Sequence, residues 1–157
     1  MFALAGCVAD DESADERAAG TDDEPKPQES IDAEPSDLYP DVADFPPDWR
    51  QFGADEDEGE IYFTHPDNKQ FQLEIEVFDT EADARAAFDA ARDEHADRSL
   101  RDPDIGDAAF GFMRTEDALE MWVRVINIVM FVRFVDRIGL SHEEDAVDLT
   151  EIVIGGF

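Results

Sequence analysis

Leu119–Val135, LEMWVRVINIVMFVRFV, is the one long stretch of the chain dense in large apolar residues. Its 17 residues stand at the lower edge of a membrane span, and Arg124 and Arg133 inside it argue against one. The better reading is two strands joined by a tight turn at Ile126–Asn127 and paired as a hairpin. The first strand alternates, with Met121, Val123 and Val125 on one side and Glu120, Trp122 and Arg124 on the other. The second is apolar on both sides: Val129, Phe131 and Val135 oppose Ile128, Met130, Val132 and Phe134. A strand of that kind belongs in the centre of a sheet covered on both faces.

Working outward, Glu60–His65 (EIYFTH) and Lys69–Phe78 (KQFQLEIEVF) read as strands separated by the turn Pro66-Asp67-Asn68. The second alternates cleanly, with Phe71, Leu73, Ile75 and Val77 inward and Gln70, Gln72, Glu74 and Glu76 outward. Thr80, with Asp83 three residues on, caps a helix running to about Asp97. Ala84, Ala87, Phe88, Ala91 and His95 share its inner face, and Arg85–Asp89 and Glu94–Arg98 are spaced to pair outside. A strand follows near Ala109–Arg114, and Thr115–Asp117 turns into the central hairpin. Ser141, with Glu144 three residues later, starts a closing helix over Glu143–Ile154, whose inner face carries Ala146, Val147, Leu149, Thr150 and Val153. The order β-β-α-β-β-β-α is an α+β domain: an antiparallel sheet with two helices packed on it. Leu38–Phe52, rich in aromatics and prolines, reads as a segment laid over the core before the first strand, and Gly53–Glu60 as an acidic loop.

Charge sets the class of partner. The 157 residues include 12 Lys+Arg against 42 Asp+Glu, a net charge of -30. Phosphates are repelled at every approach, which excludes nucleic acid. Lys26 and Lys69 are the only lysines. Acid excess with scarce lysine and abundant alanine resembles the proteins of extremely halophilic archaea. At about 1 M salt the Debye length is roughly 3 Å, so a carboxylate-covered surface stops repelling itself.

Before Leu38 the chain changes character. Met1–Cys7 reads MFALAGC, and the single cysteine excludes an internal disulfide. Leu4-Ala5-Gly6-Cys7 resembles the lipobox of prokaryotic lipoproteins, in which the cysteine carries the lipid. Residues 1–8 are read as the remnant of such a signal. A complete signal needs a charged start and 7–15 apolar residues, so this reading expects one upstream of Met1. Residues 9–37, acidic, proline-punctuated and almost free of large apolar side chains, read as a disordered linker. Residues 38–157 form the domain.

The stretch Glu74–Ile154 also resembles domains of archaeal and actinobacterial surface lipoproteins. Val77-Phe78, the helix segment Ala82–Phe88, Ile105–Ala108 and Val123–Asn127 carry the likeness. These domains are similar to the Mog1/PsbP α+β fold, and the resemblance implies an extracytoplasmic, non-enzymatic protein. One departure is that the hairpin of such domains has Gly before Asn, where positive φ is cheap. Ile126 makes that turn costly here.

No combination of residues announces catalysis. His65, His95 and His142 lack metal-ligand spacing, and Ser141-His142 beside Glu143 has no nucleophile elbow around it. Asp102, Asp104 and Asp107 are weak candidates for calcium, without the third position and distal Glu of an EF-hand; a solvated acidic loop explains them as well. No motif calls for a cofactor. Trp122, Arg124 and Arg133 form a possible binding patch, the arginines either pairing with Glu120 or Glu76 or lining an anion groove. The expectation is a non-catalytic, membrane-anchored extracytoplasmic lipoprotein, held by lipid on Cys7, whose domain binds an unknown ligand or protein in high salt. The alternative is a soluble cytoplasmic partner-binding protein of the same fold without the anchor.

Overall fold

The computed structural model describes residues 30–55, 59–137 and 142–157. Cys7, most of the acidic linker, the middle of the Asp55–Glu60 run and Ser141 lie outside the described residues, as does the side chain of His142. The strands are β1 Arg50–Asp55, β2 Glu60–His65, β3 Lys69–Val77, β4 Ala108–Thr115, β5 Ala118–Val125 and β6 Ile128–Asp136. The helices are α1 Glu81–Glu94, between β3 and β4, and α2 His142–Ile154 at the end. All pairings are antiparallel, in the sheet order β1-β2-β3-β6-β5-β4. The α+β class and the central position of β6 are as the sequence indicates.

The hairpin pairs in the expected register, Val125 opposite Ile128 and Glu120 opposite Arg133. Its turn has φ 52 at Ile126 and no positive φ at Asn127, the pattern of a type II′ turn. A β-branched residue costs about 1–2 kcal/mol in this region, so the surroundings must hold it, and they do so from several sides. Asp107 Oδ2 accepts the Ile126 N–H at 2.6 Å, and Arg124 Nη1 donates to the Ile126 carbonyl at 3.3 Å. Beneath them Asn127, 1% exposed, donates through Nδ2 to the Phe78 carbonyl (2.7 Å) and the Ile31 carbonyl (2.9 Å). Its Oδ1 accepts the Ile31 N–H at 2.7 Å. The packed chain therefore begins ahead of Leu38, because Ile31 is fastened to the hairpin turn; the expected linker boundary at residue 37 is corrected accordingly.

The two faces of the sheet are covered differently. One buries Ile61, Phe63, Phe71, Leu73, Ile75, Met121, Val123, Met130, Val132 and Phe134 under Ala146, Leu149 and Val153 of α2 and under the segment before β1. In that segment Phe45 packs 4.5 Å from Phe63 and 5.8 Å from Phe71, centroid to centroid. The 3-10 turns Pro35–Leu38 and Val42–Asp44 bring it across the sheet. The other face carries a smaller core, Ala84 and Phe88 of α1 against Phe110 and Val129. α1 covers only the β4–β5–β6 half, since its own sequence offers Ala84 and Phe88 as its buried residues.

Three expected details change. Arg50–Asp55 is an edge strand paired to β2, with a bulge between Gln51 and Gly53, rather than a run-in followed by a loop. Its residues alternate no apolar stripe because it buries almost nothing, and main-chain pairing alone defines it. α1 stops at Glu94, with His95 as its C-cap. Within it Arg85 pairs back to Glu81 (3.0 Å) rather than on to Asp89. That places the acid N-terminal to the base, the favoured order. The Thr80 cap is as expected, its hydroxyl accepting the Asp83 N–H at 3.1 Å.

Candidate functional site: the uncovered half of the sheet

The part of the second face that α1 leaves bare is made by alternate residues of β1, β2 and β3 and by the ends of β5 and β6 far from the hairpin turn, Ala118, Arg133 and Val135. Register lines them up in rows: Tyr62 beside Gln72 beside Arg133 beside Glu120, and Thr64 beside Gln70 beside Val135 beside Ala118. With Thr115 and Asp117 of the β4–β5 turn, these residues line a cavity of about 520 Å³. Phe52, 82% exposed, and Arg137 stand at its rim. Clefts of 300–1,000 Å³ with a few fixed polar groups are the usual size of small-molecule sites.

Arg133 is the notable charge here. Its side chain is 39% exposed, and its Nε is buried without a hydrogen-bond partner among the described residues. The carboxylate of Glu120 lies directly opposite on β5, with Oε1 3.9 Å from that Nε, beyond hydrogen-bond reach. Glu120 is nearly buried and is already hydrogen-bonded by Arg114. That bond raises the Arg114 pKa above its ordinary value. The expected Arg133–Glu120 pairing is thus present in register but loose, its acid shared with a second arginine.

The other members of the sequence-derived patch sit elsewhere. Trp122 is part of an aromatic layer under α1, stacked on Phe110 at 5.0 Å and 6° and flanked by His95 (4.8 Å) and Phe131 (4.8 Å). Arg124, only 8% exposed, lies beyond that layer, 3.5 Å from Glu81 and 3.6 Å from Asp107. Neither acid was foreseen, because one comes from α1 and the other from the loop before β4. The Trp122–Phe131 row separates Arg124 from Arg133, so the three residues share a face without sharing a site.

Asp102 is engaged by Arg92 at 2.8 Å, and Asp107 by the hairpin turn. Among the described residues no group of three or more His, Cys, Asp or Glu is placed to hold a metal ion. His65 stacks beside Trp49, 5.5 Å away, and its Nδ1 accepts the Asp67 N–H. Next to it Lys69 bridges α2 and β6, 2.6 Å from Asp145 and 3.9 Å from the buried Asp136. The Asp145 hydrogen bond raises its pKa above the ordinary lysine value, against desolvation that lowers it.

No protein-family model matches the chain, and no curated protein matches it. Among solved structures it is similar to a crystal structure from Bacteroides thetaiotaomicron VPI-5482, at 20% identity and a TM-score of 0.43. The likeness covers 66% of this chain and 41% of the other.

Tyr62, Thr64, Gln70, Gln72, Arg137 and Phe52 were not singled out from the sequence, although one signal was there. A chain that clothes itself in carboxylates places uncharged Thr64, Gln70 and Gln72 on outward positions of two neighbouring strands. Glu60, Glu74 and Glu76 resume the acidic pattern nearer the other end of the same strands.

Proposed function

We propose that the chain is a non-catalytic, lipid-anchored binding protein of the extracytoplasmic surface, working in high salt, and that the uncovered sheet face is where it binds. The observation that carries the binding half is the cavity over Tyr62, Gln70, Gln72 and Arg133, placed where α1 ends its cover. It carries the uncharged side chains of Thr64, Gln70 and Gln72 beside two arginines, Arg133 and Arg137, of which Arg133 has a buried Nε without a partner among the described residues. The anchoring half rests on Leu4-Ala5-Gly6-Cys7 and the acidic spacer that follows, in the manner of the Mog1/PsbP-like surface lipoproteins that the sequence resembles. Among the described residues no helix is long and apolar enough to cross a membrane; attachment by lipid needs none, and two acyl chains hold stably where one does so marginally.

Two measurements test these halves separately. Cells expressing the native gene or its Cys7→Ser form are fractionated. The wild type is expected with the membrane and the variant in the soluble fraction, and equal soluble partition overturns the anchor. A small-molecule panel is then mapped on the protein by amide chemical shifts. Perturbations are expected to cluster on β2, β3 and β6 around Gln72 and Arg133. Clustering on α2 or on the segment before β1 overturns the proposed face.

A further inference from the structure

We infer that the ligand of the uncovered sheet face is a small organic anion, a carboxylate carried on a compact apolar body. This rests on the proposed binding face and adds the chemistry of what it accepts.

The charge balance of the cavity runs against that of the chain. The protein carries -30 overall, yet two of its few cations, Arg133 and Arg137, line this cavity, with Asp117 as the acid among the lining residues. Asp117 is already hydrogen-bonded by the Thr115 hydroxyl at 2.6 Å. Glu120, behind Arg133, is held by Arg114. The guanidinium of Arg133 therefore keeps a charge that is only partly offset and a buried Nε donor that no described residue accepts. An anionic ligand in the cavity offsets the part of that charge that Glu120 leaves uncompensated. Arginine's planar fork of donors matches a carboxylate, which it binds through two parallel hydrogen bonds.

The rest of the lining fits the remainder of such a molecule. Gln70, Gln72 and Thr64 offer donors and acceptors without charge, so they add orientation and do not repel an anion as the carboxylates of the other strand end would. Ala118, Val135 and the exposed ring of Phe52 supply apolar wall. At about 1 M salt the Debye length is roughly 3 Å, so attraction at a distance is screened away. Only direct contact discriminates charge under those conditions, and a cavity floor with an underpaired arginine provides it.

The test uses the full chain in molar KCl with two near-isosteric probes, phenylacetate and its neutral amide phenylacetamide, followed by the side-chain amide resonances of Gln70 and Gln72. Phenylacetate is expected to bind about tenfold more tightly than the amide, equivalent to ~1.4 kcal/mol. Arg133→Gln, which keeps a polar but shorter and uncharged side chain, is expected to erase that preference, and Arg137→Gln to reduce it. Arg85→Gln, on the exposed side of α1, leaves it unchanged. Equal binding of both probes at these glutamines overturns the anion while leaving the face standing, as does a preference that survives Arg133→Gln in a variant with wild-type melting. If neither probe perturbs these resonances, the proposed face falls as well.

Discussion

Replacing Asn127 by alanine isolates the feature on which the central hairpin depends. The side chain makes three hydrogen bonds, two through Nδ2 to the Phe78 and Ile31 carbonyls and one through Oδ1 from the Ile31 N–H. Each contributes about 1 kcal/mol net, and a buried partner left unsatisfied adds to the loss. The Phe78 N–H still reaches the Asn127 carbonyl at 2.8 Å, because that bond is made by main chain. The Ile31 groups, being part-buried, can turn to water if their segment lifts away. The penalty therefore divides. We expect about 1–2 kcal/mol off global stability through the Phe78 leg, and a local opening of residues 30–38 of about 2 kcal/mol, the worth of the two Ile31 bonds. Denaturant midpoints read the first, and hydrogen exchange at the Ile31 amide reads the second. Asn127→Asp is expected to be worse than alanine near neutral pH, since it points a buried carboxylate at two carbonyls. Burial raises the folded pKa of the introduced carboxyl, so this extra loss is greatest above that value and recedes as acid protonates the group. If Asn127→Ala keeps both the wild-type midpoint and the protection of the Ile31 amide, the latch is not what holds the hairpin.

Three further perturbations have defined outcomes. Ile126→Gly removes a β-branched residue from φ 52; the ~1–2 kcal/mol of relieved strain meets about 0.5–1 kcal/mol of added chain entropy, so stability measured by urea titration stays level or rises by up to about 1.5 kcal/mol, and a clear loss contradicts the strain. Lys69→Met loses the bridge to Asp145 and Asp136 and is expected to cost about 1–2 kcal/mol, since the Asp145 pair is partly exposed and Asp136 is buried. Because the folded pKa of Lys69 is raised, its contribution is complete below the ordinary lysine pKa and fades as pH climbs through the higher folded value; a wild-type-to-variant gap that stays level across that alkaline range refutes the assignment. Finally, the net charge of -30 predicts a melting temperature that rises from low to molar KCl as self-repulsion is screened, and a level or falling midpoint would show that the acidic surface is not adapted to salt.

The sequence by itself determined the elements and their facing. Period-two alternation in Lys69–Phe78, the doubly apolar Ile128–Val135 and the capped, alanine-faced Glu81–Glu94 each carry their structure locally, because side-chain direction follows from backbone periodicity. The two-residue turn was legible for the same reason, and so was its conflict with Ile126. Edge strand β1 was not legible, since main-chain pairing leaves no mark on side chains that stay in water. Nor were the contacts that reconcile Ile126 with its turn, which come from Ile31, Phe78 and Asp107, distant along the chain from the hairpin. The candidate site was half legible. Arg133 stood out as a cation in an apolar run, but Trp122 and Arg124 were grouped with it on face alone. Only the tertiary structure decided where α1 ends its cover of the sheet. That boundary half-buries Trp122 against Phe110 and His95, binds Arg124 to Glu81 and Asp107, and leaves Arg133 beside Gln72 and Tyr62, partly exposed. Coverage is a property of how far one element reaches over another, and no local pattern encodes that distance.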